Sequence, residues 1–134
     1  PVSLWIVPAR VEGNWSWELS LAGRRVSYAA IMEQRFQTFE GVARTGNRRE
    51  LLHDPKLTGE DVSFSLALTL EGLGFVRHEF RGKVESDQIA GTVTVTPAGQ
   101  APLAMPWRAR RSERSDYFAR TGTAMFQQQP EQVP

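Results

Sequence analysis

The sequence predicts an all-β domain, an antiparallel up-and-down barrel of about eight strands. Three observations predict it. Gly13-Asn14-Trp15 opens a strict alternation, with apolar Trp15, Trp17, Leu19 and Leu21 separated by polar Ser16, Glu18 and Ser20. That is the pattern of a strand with one wet and one buried face. Val62, Phe64, Leu66, Leu68 and Leu70 repeat it more cleanly still. Between such runs lie short clusters of Gly, Pro, Asn and Asp, with no long amphipathic helix, which excludes a parallel α/β sheet.

The elements follow in order. Residues 2–7 are apolar and read as a buried strand that starts abruptly, ended by Pro8, which removes a ladder donor. The chain does not begin with Met, so residues 1–12 are expected to be a linker or exit strand from an upstream domain. Gly13 lets the backbone bend as the 13–21 strand enters the core. Ala22-Gly23-Arg24 is a turn. Residues 25–36 form a long strand, with Val26, Tyr28, Ala30, Met32, Gln34 and Phe36 on one face and Ser27, Ala29, Ile31, Glu33 and Arg35 on the other. A helix competes over residues 29–34, but no N-cap precedes it and its neighbours alternate. Residues 39–43 and 49–52 are short strands around Thr45-Gly46-Asn47. Asp54-Pro55 predicts a turn, with His53 in a loop. Residues 62–70 and 75–84 make a hairpin reversing at Gly72 and Gly74. Glu85-Ser86-Asp87 turns the chain into 89–95, and a Pro97–Gln100 loop leads to the last strand, 103–110.

Three segments share the form apolar-x-Gly-x-apolar: Phe39-Glu-Gly41-Val-Ala43, Phe80-Arg-Gly82-Lys-Val84 and Ile89-Ala-Gly91-Thr-Val93. Mid-strand glycines mark bends or close approaches, so they favour a curled barrel over a sandwich. The barrel is assigned to residues 13–111 and a polar tail to 112–134, in which Tyr117-Phe118 and Met125-Phe126 could dock on the barrel or form a short helix. The expected core is Trp15, Trp17, Leu19, Val62, Phe64, Leu66, Leu68, Phe80, Ile89, Val93 and Trp107.

The chain has 134 residues, enough for one domain with a sizeable core. Its 16 basic and 15 acidic residues give a net charge of +1, so no global field draws in nucleic acid or an anionic membrane. Arg24-Arg25, Arg48-Arg49 and the Arg108/Arg110/Arg111 cluster therefore read as solvated. No apolar run approaches the ~20 residues of a membrane span. The absence of cysteine removes disulfide and thiolate chemistry and fits a cytoplasmic protein.

Motifs for catalysis are missing. His78-Glu79 would need a second His at position 82 to match the zinc-protease helix, and position 82 is Gly. On a strand, His78 and Glu79 point to opposite faces. A two-His site of His53 and His78 remains geometrically open. There is no nucleophile elbow, phosphate loop or dinucleotide turn, so no catalytic residue, metal ligand or cofactor is assigned to this domain. Residues expected to face the barrel interior, where a small apolar ligand would sit, are Tyr28, Phe36, Phe64, His78, Phe80 and Trp107.

Gly13-x-Trp15 at the start of the first barrel strand resembles the entry motif of the lipocalin and fatty-acid-binding superfamily. There, a basic residue near the end of the last strand packs over the tryptophan. The resemblance implies a cap of Gly13 and Trp15 under Arg108 or Arg110, beside Trp107. The Thr-Asp-Tyr motif of that superfamily is absent; Ser115-Asp116-Tyr117 comes after the last strand. A second resemblance spans residues 2–111. Leu4-Trp5-Ile6-Val7-Pro8-Ala9, Gly13-x-Trp15, Glu33-Gln34-Arg35-Phe36-Gln37, Phe80-x-Gly82 and Pro106-Trp107-Arg108-Ala109 look like the barrel region that follows the catalytic domain in some bacterial class I S-adenosylmethionine-dependent methyltransferases. It implies an upstream catalytic domain as partner, with S-adenosylmethionine bound there and not in the barrel. The functional expectation is a non-catalytic accessory or ligand-binding barrel. The alternatives are a free-standing carrier of a small apolar ligand and an interaction module, including a homodimer.

Overall fold

A single antiparallel sheet curls into a nearly closed up-and-down barrel. The computed structural model describes residues 8–113. Its strands are β1 (Gly13–Leu21), β2 (Arg24–Arg35), β3 (Thr38–Thr45), β4 (Arg48–Leu51), β5 (His53–Thr58), β6 (Asp61–Leu70), β7 (Gly74–Glu85), β8 (Gln88–Pro97) and β9 (Leu103–Glu113). Their spatial order is β4-β3-β2-β1-β9-β8-β7-β6-β5. The first and last strands meet where Asn14, Trp15 and Ser16 pair with Glu113, Arg111 and Arg110. Among the described residues no helix is long and apolar enough to cross a membrane.

Nine strands appear where about eight are expected, and the extra one corrects the reading of Asp54-Pro55. That dipeptide does not end the strand. It lies in β5, where the register shifts between His53 and Lys56 and Asp54 takes φ 53°. A bulge absorbs the proline without a reversal. Residues 48–58 act as one bent strand whose first half pairs with β3 and whose second half pairs with β6. At the bend, Leu52 turns inward and its N–H donates to the Gly41 carbonyl at 2.9 Å.

The 25–36 segment is a strand, as its neighbours' alternation requires. Its pairing with β1 is unbroken from Leu21↔Arg24 to Gly13↔Met32. Tyr28, Ala30 and Met32 face inward, while Ile31 is 47% exposed. Every member of the expected core is buried. The expected strand over residues 2–7, and residues 114–134 of the expected tail with Tyr117, Phe118, Met125 and Phe126, lie outside the described residues.

The recurring glycines sit where the sheet curls. Gly82 and Gly91 are directly opposite each other, flanked in the same row by Val62 and Trp107. A Cβ on Gly82 would lie 2.9 Å from the Ala90 carbonyl oxygen, and one on Gly91 would overlap the Arg81 carbonyl. The neighbouring backbones come so close there that no side chain fits between them.

Candidate functional site

The barrel axis is filled by rings. Trp17 is at the centre, stacked on Tyr28 with centroids 5.6 Å apart and edge-on to Phe80 at 5.3 Å and Trp107 at 5.6 Å. Phe64 and Phe80 stack at 4.8 Å, and Phe80 also meets Trp107 at 4.8 Å. These rings come from β1, β2, β6, β7 and β9, so inward-facing positions of the whole sheet converge on one cluster. Offset and edge-on pairs at these distances add about 0.5–1.5 kcal/mol each beyond area burial. The indole N–H groups of Trp17 and Trp107 find no acceptor in this cluster.

His78 sits in the same layer and is fully buried. The Tyr28 hydroxyl donates to its Nε2 at 2.7 Å, and its Nδ1–H donates to the Leu66 carbonyl at 3.2 Å. Both ring nitrogens are satisfied in the neutral tautomer protonated on Nδ1. Burial lowers the His78 pKa to about 4, against a smaller upward pull from its backbone hydrogen bonds. Burial also raises the Tyr28 pKa. The pair is a neutral polar link across the core, buried from the surface on both sides. His53 lies on the outer face, opposite Ser65. The two histidines point to opposite sides of the sheet and share no site. Among the described residues no group of three or more His, Asp or Glu side chains could hold a metal ion.

Of the expected interior residues, Tyr28, Phe64, His78, Phe80 and Trp107 come together in this cluster. Phe36 does not: it stands in the turn after β2 with φ 55° and is 56% exposed. Counting by two along β2 places it inside, but the left-handed turn conformation swings it out.

One end of the barrel is closed by residues 8–12. The Val11 N–H donates to Gln34 Oε1 at 2.6 Å, Gln34 Nε2 donates to the Ala9 carbonyl at 2.9 Å, and Trp15 Nε1 donates to the Val11 carbonyl at 2.8 Å. Gly13 has φ 133°, a backbone state that favours glycine, and this bend delivers Trp15 into the plug. The arginine over Trp15 is Arg111, with its guanidinium carbon 4.5 Å from the ring centroid. This corrects the expected Arg108 or Arg110, which lie exposed on the outer face of β9. Trp107, Ala109 and Arg111 share the inward parity of the strand, a signal present in the sequence. Arg111 also donates to Asp87 Oδ1 at 2.8 Å and to the carbonyls of Glu12 at 2.6 Å, Ser86 at 2.8 Å and Arg10 at 3.1 Å.

At the opposite end an apolar recess of about 230 Å3 lies among the turns, floored by Leu21, Val76 and Val95 and rimmed by Leu73 and Leu103. Leu103 is 59% exposed.

No protein-family model, curated protein or solved structure matches the chain. The geometry and the resemblances in the sequence are therefore what carry a functional reading.

Proposed function

We infer that this chain is a non-catalytic accessory barrel, lipocalin-like in architecture, that works through its outer surface and not through a central chamber. The observation that supports it is the ring cluster around Trp17, which occupies the volume a ligand would need. The likeness of its motifs to the barrel region of bacterial class I methyltransferases makes the partner an upstream catalytic domain that binds S-adenosylmethionine in the cytoplasm. The barrel itself offers no glycine-rich turn for that cofactor.

The test compares the isolated chain with a longer protein that includes the polypeptide encoded upstream of Pro1. Calorimetric titration with S-adenosylmethionine should show binding to the longer protein and none to the barrel alone. Binding by the isolated barrel, or none by the longer protein, overturns the reading.

A second reading has its own observation. The recess at the turn end suits the tip of a small apolar ligand, with the hydrophobic lining and modest volume of such sites. A carrier that held its ligand there would keep the ring cluster as a floor.

A further inference from the structure

The outer face of β2, β3 and β4 is sorted by chemistry into parallel rows. Glu33 of β2 lies directly opposite Glu40 of β3. One row along, Ile31, Val42 and Leu51 pair across all three strands. One row further, Ala29, Arg44 and Arg49 pair across the same strands. Along β3 alone, the outward residues read Glu40, Val42, Arg44. Ile31 is 47% and Leu51 71% exposed.

Each charged row sets like charges against each other across the ladder, which costs stability in the monomer. Among the described residues none of Glu33, Glu40, Arg44 and Arg49 has an ion-pair partner. The β6–β7 ladder is arranged differently: there Asp61 lies opposite Lys83 and the two form an ion pair at 2.9 Å. Beyond the acidic row the face ends in Arg35, opposite Thr38. The two charged rows, of opposite sign and without direct ion pairs, flank the apolar row on either side.

That pattern is complementary to itself. We propose that this face binds a second copy of the chain through a two-fold axis running along the Ile31–Val42–Leu51 row. The rotation lays β3 antiparallel over β3 of the second copy. Each apolar residue then meets its own counterpart, and Glu40 of each chain lies over Arg44 of the other, with Glu33 and Arg49 one strand to either side. An interface that maps onto itself in this way is what closed dimers require, and sheets packed face to face keep their strands nearly aligned. The apolar row is narrow, so the dimer is expected to be of about micromolar affinity. The proposal deepens the accessory reading by naming the working surface. A monomeric result would remove this interface and leave the cofactor titration as the test of that reading.

Sedimentation velocity on the full chain tests it with charge reversals. Glu40→Arg places arginine over Arg44, and Arg44→Glu places glutamate over Glu40. Each alone should raise the dimer dissociation constant about tenfold or more, since like-charge contacts across an interface are costly and occur twice per dimer. The double variant E40R/R44E should return to within about threefold of wild type, and an equimolar mixture of the two single variants should form a heterodimer. Both sites are exposed, and far-ultraviolet circular dichroism should show every variant folded. A wild-type chain that stays monomeric throughout the micromolar range overturns the proposal. So does a dimer that neither single reversal weakens, or one that the double reversal fails to restore.

Discussion

Arg111 lies with its guanidinium 4.5 Å above the Trp15 ring, and together they seal the end of the barrel where the described chain begins. The side chain is only 9% exposed and ties three elements together: β9 itself, the Ser86-Asp87 turn and residues 10–12. Its replacement by alanine removes the stacking and strands several carbonyls. Arg111→Ala should therefore cost about 2–4 kcal/mol in urea unfolding. Arg111→Lys should recover less than half of that, because an ammonium lacks the planar fork. Arg110→Ala, on the exposed face of the same strand, should change stability by less than about 0.5 kcal/mol. Equal losses at positions 110 and 111 would contradict the assignment.

The Tyr28–His78 link gives stability a pH dependence of known sign. In the folded state His78 stays neutral down to about pH 4, whereas in the unfolded chain it protonates near its ordinary 6.5. Below pH 6.5 the unfolded state takes up a proton that the folded state does not. The stability is complete above that pH and is lost as pH falls toward about 4, by roughly 3 kcal/mol in all. Between pH 7 and 5 the wild type should lose about 2 kcal/mol more than His78→Gln, which keeps an acceptor for Tyr28 but does not titrate. Parallel pH profiles for the two proteins would contradict this account.

What could be read from the sequence depended on whether one strand face was wet. The 13–21 and 62–70 strands were legible because Ser16, Glu18, Ser63 and Ser65 mark the outer side of each. β5 was not, because only Leu57 of its six residues is buried and its bulge is built from the dipeptide that elsewhere makes turns. Arg111 could have been found by counting in twos from Trp107, but the register shift that sets it against Trp15 is a property of the paired strands. The sorted outer face is similar: Glu33 and Glu40 become neighbours only once the β2–β3 hairpin fixes its register.

The glycine pair at the curl of the sheet makes a steric prediction. Gly91→Ala must push Cβ against the Arg81 carbonyl and the Gly82 Cα. It should destabilise the fold by about 2–4 kcal/mol, within the range for forced backbone shifts in packed interiors. Thr92→Ala, the exposed neighbour, should stay within about 0.5 kcal/mol. A tolerated alanine at position 91 would mean that the strands do not approach so closely.

The most direct test of the filled barrel is the mass of the intact protein. Native mass spectrometry of the purified chain under mild conditions should give the bare polypeptide, as monomer or dimer, with the same subunit mass before and after denaturation. A small molecule bound in stoichiometric amount and lost on denaturation would contradict a surface-acting barrel and show that the chain carries a ligand.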